Sequence, residues 1–376
     1  MCCGASAVQS QKEPEMNATT AAVDLAKNVF QVAIADSSHR IIEQHRLTRT
    51  HFERFFANRR VDRIVMEACG SAHHFARCFL AQGFEVVLLP AQYVRAYVRR
   101  NKTDAADATA LLEAARNDQI RPVRIKSIEQ QALQALHRTR SLWMATRTSR
   151  INALRGFCRE MGLHVPVGAR TGLDAMARAL ADDQSPIPAL LRPTMQLLLD
   201  EIRNLETRIA KLERQLTDAA SESTACKLLI SIPGVGLLTA TGIAAATSGS
   251  VAHFTDARHF ASWFGLTPKE TSSGDHRKLG RISKRGDKYL RMLLTHGARS
   301  VLRAAVAAKT KGAELTGIRP WAVELQSRSN HNKAVCALAN KLARICFGVL
   351  RDQTAFGQPA TRLGKKLHRQ AFELAH

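Results

Sequence analysis

The first hundred residues alternate between short apolar runs and segments with helical spacing. "AAVDLAKNVFQVAIAD" holds two β-rich runs and "RIIEQHRL" a third, while "HFERFFAN" has the spacing of a short helix. "VDRIVMEACG" predicts a buried strand that ends at Gly70, and "SAHHFARCFLAQG" a helix opened by Ser71 and closed by Gly83. "FEVVLLP" is a further strand, stopped by Pro90, and "DAADATALLEAARN" a further helix. Three strands in series, then strands alternating with helices, predict an α/β sheet that is part antiparallel and part parallel.

Beyond Ser127 the period changes. "SIEQQALQALHRTRSLWMATRTSRINALRGFCREMG" reads as one long basic helix, carrying Arg138, Arg140, Arg147, Arg150, Arg155 and Arg159 with no acid between Glu129 and Glu160. "GLHVPVGARTG" breaks it. Leu198, Ile202, Leu205, Ile209, Leu212 and Leu216 then recur with coiled-coil spacing, from an intramolecular hairpin or a dimer, with a plain amphipathic helix as the simpler alternative. From Cys226 to about Arg351 the chain is mostly helical. There Pro233-Gly234-Val235-Gly236 separates two apolar stretches, and the pattern is that of a helix-hairpin-helix element that binds a DNA backbone. Gly234 and Gly236 allow a tight turn and bare backbone N–H groups at a helix start, which suits a phosphate; an ordinary corner between helices is the alternative. The expected organisation is an extension at 1–16 without order, with Met16 as the functional start, an α/β domain at 17–122, a basic helix and coiled coil at 123–222, a helical domain at 223–351 and a basic tail at 352–376.

Charge narrows the classes of function. The formal net charge is +23 over 376 residues, and a chain so basic repels itself unless a polyanion shares the load. Nucleic acid is the commonest such partner. Aromatics are only 5%, which disfavours a single-strand binder built on base stacking. No apolar run is long enough for a membrane span, and the N-terminus lacks the apolar core of a secretory signal. The eight cysteines form no CxxC pair, which argues against a zinc site or a disulfide framework and fits the cytoplasm.

Two constellations could carry chemistry. The first is acidic. Asp24 ends one apolar run, Glu67 ends another, and Asp104 and Asp107 open the helix that follows the last strand. Groups at strand ends and at neighbouring helix starts converge on one edge of an open α/β sheet. Four carboxylates meeting there could not all stay ionised without divalent cations, and Mg²⁺, with Mn²⁺ as a substitute, is the natural choice. Each acid also has an ordinary reading: Asp24 as a turn residue, Glu67 as a partner for an arginine, Asp104 as a helix cap, and Asp107 as a charge favoured in a first helical turn. His73 and His74 follow closely as candidate phosphate contacts or supporting donors, with partly exposed helix histidines as the ordinary reading for at least one of them.

The second constellation is "FGLTPKETSSGDHRKLGRISKRGDKYLRMLL". Between Arg258 and Lys311 thirteen bases face three acids, and Gly274, Gly280 and Gly286 predict much loop. Arg277, Lys278, Arg281, Lys284 and Arg285 suit a phosphate backbone. At the centre, Ser272 and Ser273 precede Gly274. A serine surrounded by guanidinium groups could attack a phosphodiester, although turn solvation explains such serines equally simply.

Taken in order, "AAVDLAKNVF", "IVMEACGSAHH", "RRNKTDAADATALLEA", "SIPGVG", "FGLTP" and "SSGDHRKLGRISKRGDKYLR" closely resemble insertion-sequence transposases of the DEDD type, a family also described as bridge-RNA-guided serine recombinases. The resemblance runs from about Thr20 to about Arg351, and the "EACGSAHH" form marks one subgroup. It implies a ribonuclease H-like, Holliday-junction-resolvase-like domain, a coiled-coil middle and a C-terminal transposase domain. It implies that Asp24, Glu67, Asp104 and Asp107 are the catalytic metal-binding acids and that Ser273, directly before the glycine, is the nucleophile, with Ser272 its neighbour. It further implies double-stranded DNA and a bridge RNA as partners, a dimer that assembles to a tetramer with the site formed across protomers, and a place in the nucleoid. Arg138, Arg147 and Arg150 of the basic helix are expected to contact RNA. The competing readings are a metal-dependent resolvase or nuclease that uses water, and a nucleic-acid-binding scaffold without catalysis.

Overall fold

The computed structural model describes residues 19–359 except 58, 60 and 99–103, and at 104 and 105 it describes the helix but not the side chains. The extension expected at 1–16 and most of the tail expected at 352–376 lie outside the described residues. The chain forms two compact units, 1–127 and 128–376.

In the first unit, strands β1 (Thr20–Leu25), β2 (Val29–Ala35), β3 (Ile41–Thr48), β4 (Arg63–Glu67) and β5 (Glu85–Leu89) form one sheet in the order β3-β2-β1-β4-β5. The pairs β1–β2 and β2–β3 are antiparallel, and β1–β4 and β4–β5 are parallel. The expected mixed α/β sheet is therefore present, and it is consistent with a ribonuclease H-like domain. Alternation along each strand sorts the residues onto two faces. Ala21, Val23, Ile64 and Met66 join Phe30 in a core against α1 (Arg49–Phe55) and α2 (Ala72–Ala81). Phe52, Phe56, Phe75 and Phe79 meet edge to face there, so one large aromatic cluster fills that side. The opposite face is built from Ala22, Ala33, Val65 and Leu89. After the short α3 (Ala91–Val94), helix α4 (Asp104–Ala115) covers that face with Ala108, Leu111 and Ala114. Alanine on both partners lets the helix lie close to the sheet.

In the second unit, α5 (Ile128–Glu160) and α7 (Arg192–Glu222) pack as a pair, joined through α6 (Ala169–Ala181). Arg140 pairs with Glu213, Arg147 with Glu206 and Arg150 with Glu201. A step of one heptad up α5 is matched by one heptad down α7, so the pair is antiparallel and intramolecular. The buried seam differs at its start from the expected one. Met195 and Leu199 are buried where Leu198 was expected, and Leu198 is only partly so. The cause is α6, whose Met176 packs with Met195 and Leu199 in one cluster and turns that end of α7 toward itself.

Helices α8 (Thr224–Ile230), α9 (Leu237–Thr247) and α10 (Ala257–Trp263) follow, then a hairpin of β6 (Pro268–Glu270) and β7 (Leu279–Ile282). Helices α11 (Lys288–Thr310), α12 (Arg319–Ser327) and α13 (His331–Asp352) complete the unit. Phe260, Phe264, Leu294, Leu338 and Phe347 lie in its large core. Helices α5 and α7 both pack on α9 within the unit 128–376. Among the described residues no helix is long and apolar enough to cross a membrane.

Candidate functional site

The acidic candidates are placed by strand register. The β1–β4 ladder ends at Val23↔Met66, and Asp24 and Glu67 are the next residues on those parallel strands. Neighbouring strands lie about 5 Å apart. Alternation puts Asp24 on the face of Ala22 and Glu67 on the face of Val65, which is the face α4 covers. Asp107, in the first turn of α4, stands four residues before the buried Leu111 and so shares the helix face turned toward the sheet. Asp24, Glu67 and Asp107 are all half-buried. Asp104 opens α4, but its side chain lies outside the described residues. Among the described residues no three His, Cys, Asp or Glu side chains gather closely enough to hold a metal ion. The fold thus brings three of the four acids to one face without closing them into a cluster. Their all-oxygen chemistry at strand and helix ends fits a hard divalent cation.

His73 has a different task from the one its sequence position suggests. It is buried, and its Nδ1 accepts a hydrogen bond from the backbone N–H of Lys126 at 3.3 Å, while Arg77 donates to the Lys126 carbonyl at 2.5 Å. Burial, with the charges of Lys126 and Arg77, holds the imidazole down at about 4, so it is a neutral bracket for the chain leaving the sheet. His74 is exposed on α2.

The serine segment is more ordered than its glycines predict. Ser273 and His276 exchange both backbone hydrogen bonds at 3.2 Å, and Thr271 N–H donates to the Lys278 carbonyl at 3.0 Å, so the β6–β7 hairpin runs to its tip. Gly274 takes the first turn position with a φ of 54°, which a glycine adopts without strain. The two serines differ sharply. Ser272 Oγ donates to Glu270 at 2.7 Å and accepts from the Lys278 N–H at 3.1 Å, bracing one strand against the other. That bond from Ser272, with the Arg277 charge, holds the Glu270 carboxyl below its usual range. Ser273 is exposed, and among the described residues its hydroxyl has no hydrogen-bond partner. At the hairpin's foot Gly286 has a φ of 97°, and a Cβ there would lie 2.0 Å from the Trp263 carbonyl oxygen. Gly286 lies in the loop between β7 and α11, as its glycine suggests, and there it also makes a close backbone contact.

The expected nucleic-acid contacts divide in the same way. Arg147 and Arg150 engage glutamates of α7, which gives their guanidinium groups a place in the helix pair that sequence alone does not show. Arg138 is exposed beside them and makes no ion pair among the described residues. Gly234 has a φ of 89° and lies against Gly297 of α11, so it closes a packing contact, while Gly236 caps α9 in open space. Arg277 pairs with Glu270 at 3.3 Å. Lys278, Arg281, Lys284 and Arg285 are exposed along the hairpin and its exit. Sequence reasoning missed Lys333, Lys341 and Arg344 on α13, which line one cleft with Arg281 and Lys284. Their spacing along one helix face was the available signal.

The chain matches known proteins over both units. Residues 21–162 match the model of a DEDD transposase domain, and residues 226–312 match that of the transposase IS116/IS110/IS902 family. A probable family 20 transposase of Pseudomonas aeruginosa is 39% identical over 342 residues, covering 91% of this chain and 99% of the relative. The transposase for insertion sequence element IS1111A of Coxiella burnetii is 36% identical over 334 residues, 89% of this chain and 90% of the relative. The transposase for insertion sequence element IS1328 of Yersinia enterocolitica is 31% identical over 344 residues, 91% and 99% respectively.

Proposed function

The chain belongs to the IS116/IS110/IS902 transposase family, and from that premise we propose that it cuts and rejoins DNA through a serine–phosphodiester intermediate formed by Ser273. The observation that carries the choice of nucleophile is the contrast between the exposed Ser273 hydroxyl, which has no hydrogen-bond partner among the described residues, and the doubly bonded Ser272. In the proposed step Ser273 Oγ forms a bond to phosphorus and gives up its proton to a solvent base. The bond to the 3′-oxygen breaks, and that oxygen takes up a proton to leave as a 3′-hydroxyl. The DNA 5′ end stays on the serine as a phosphodiester. Because one ester replaces another, religation needs no ATP. Arg277 and its neighbours on the hairpin supply positive charge where the pentacovalent phosphorus becomes more negative.

Asp24, Glu67, Asp104 and Asp107 are proposed to hold Mg²⁺, or Mn²⁺ in its place. Support comes from the placing of Asp24, Glu67 and Asp107 on the α4 face of the sheet. A divalent ion bound there would supply Lewis-acid stabilisation of a phosphate. A guide RNA and a tetramer built from dimers belong to the same reading. A charge of +23 supports a polyanionic partner, and delegation of sequence choice to an RNA suits a chain that would bind backbones. Cytoplasmic work on the nucleoid follows from that substrate.

The placing of Asp24 beside Glu67 by itself also supports hydrolysis by water in a resolvase-like reaction. Trapping of a covalent protein–DNA adduct separates the two. The serine reading expects an adduct with the unaltered chain, retained in Ser272→Ala and lost in Ser273→Ala while DNA binding persists. Cleavage without any adduct, unaffected by Ser273→Ala, would establish the hydrolytic reaction instead.

A further inference from the structure

A cleft of about 1650 Å³ opens in the second unit between the β6–β7 hairpin and helices α12 and α13. Arg281 and Lys284 line it from the hairpin side, Lys333, Lys341 and Arg344 from α13, and Trp321 from α12. Among the described residues no aspartate or glutamate lines it. Among the described residues none of these five cations forms an ion pair, in contrast to the arginines of α5 that meet α7.

The α13 cations lie on the outer face of a core helix. Leu338, Leu342 and Cys346 are buried on its inner side, while Lys333, Lys341 and Arg344 stand on the other. Eleven residues of helix span roughly 16 Å, long enough to meet more than one phosphate of a DNA strand. Lys341 Nζ lies 3.9 Å above the Trp321 ring, which fixes its direction into the cleft. Desolvation, and then the nearby Arg344 charge, lower its proton affinity. Lys284 is held at a φ of 55°, an uncommon conformation for a residue with a side chain, by the bond from its N–H to the Gly265 carbonyl at 3.0 Å. That bond and the Gly286–Trp263 contact anchor one wall of the cleft, so its cations are presented on a fixed frame.

We propose that this cleft is the track for the phosphodiester backbone of the duplex DNA that the chain cuts, and that it leads the strand toward the hairpin tip. Leu279, at the rim, pairs with Glu270, and Ser273 stands three residues beyond Glu270 on that arm of the hairpin, roughly 10 Å from it. A backbone seated on Lys341 and Arg344 and passing Arg281 arrives at the tip on the side of the hairpin that faces α13. The assignment of the track to the cut strand rests on the Ser273 reading; the binding of DNA backbone in the cleft does not.

The test compares the full chain with the triple variant Lys284→Asn, Lys341→Gln, Arg344→Gln, and with Lys284→Asn alone, since asparagine tolerates the left-handed backbone. Binding of a short labelled duplex is measured by anisotropy over a range of salt, in parallel with a structured RNA and with trapping of the adduct. Loss of three phosphate contacts at a slope of about 0.9 each makes the unaltered chain lose roughly 40-fold more duplex affinity than the triple variant between about 50 and 200 mM salt. The melting temperature of the variant should fall by no more than the loss of the one Lys341–Trp321 contact causes, because the core is untouched. Lys341→Arg should retain the slope of the unaltered chain. An unchanged slope for the triple variant, or a loss confined to RNA, overturns the proposal. If no adduct forms at Ser273 and the slope still falls, the nucleophile is wrong and the backbone site stands. If the adduct forms and the slope is unchanged, the cleft alone is wrong.

Discussion

Asp24 and Glu67 are the first residues beyond the last paired rung, Val23↔Met66, of two neighbouring parallel strands, and both stand on the face of the sheet that α4 covers. Two carboxylates so placed repel each other unless a cation lies between them. Asp24→Asn or Glu67→Gln should therefore lower strand transfer by at least about 100-fold while leaving the chain folded. Mg²⁺ should raise the melting temperature of the unaltered chain by mass action and that of the variants less. Full activity in both variants would rule out the acidic site.

Ser272 and Ser273 predict opposite phenotypes. Ser273→Ala removes a hydroxyl that holds nothing in place among the described residues, so folding and DNA binding should be untouched and the adduct absent. Ser272→Ala removes the brace between Glu270 and Lys278, so the adduct should form a few-fold more slowly and the hairpin should become more susceptible to protease. An adduct that survives Ser273→Ala would place the nucleophile elsewhere.

Arg147 and Arg138 should separate into structural and binding roles. A double-mutant cycle on Arg147→Gln and Glu206→Gln should give a coupling of about 0.5 to 1 kcal/mol in thermal or urea unfolding, as expected for a partly exposed pair. Arg138→Gln should leave unfolding unchanged and reduce the salt slope of RNA binding by about 0.7 to 0.9. The reverse pattern would exchange the two assignments.

Gly286→Ala should be among the most damaging single-methyl additions to the second unit. The new Cβ would meet the Trp263 carbonyl oxygen at 2.0 Å in a backbone conformation with a φ of 97°. The expected loss exceeds about 2 kcal/mol, read as a lower urea midpoint, with earlier proteolysis near the hairpin. A variant as stable as the original would mean that the loop shifts freely.

Acid should weaken the second unit through His137. Its Nδ1 bonds to Tyr289 Oη at 2.9 Å and its Nε2 to Thr241 Oγ1 at 3.0 Å, linking α5 to α11 and α9. Burial, with the Arg140 charge, holds its pKa down at about 4 against a model-peptide value of 6.5. The unfolded chain thus takes up a proton first. The contribution is complete above about pH 6.5 and is lost as pH falls toward 4, each pKa unit being worth about 1.4 kcal/mol. His73 acts in the same window in the first unit. Melting temperature measured between pH 4 and 7 checks this: His137→Gln should flatten the curve for the second unit, and an unchanged curve would count against the assignment.

Local pattern alone determined much of this protein. The three strands in series, the helix opened by Ser71, the long basic helix and the seam of α7 are all written in residue spacing, because burial of one face imposes a period that any short window of sequence carries. The positions of Asp24 and Glu67 at strand ends were legible for the same reason. Tertiary structure decided what long-range partners decide. It made Arg147 and Arg150 partners of α7, His73 and His137 buried brackets, and Gly286 a packing glycine. It also distinguished Ser272 from Ser273, which stand side by side in the sequence with the same chemistry, because only a folded hairpin brings Glu270 and Lys278 to one hydroxyl and leaves the next one open. Spacing records which face a residue occupies; the identity of what lies across from it belongs to the packed chain.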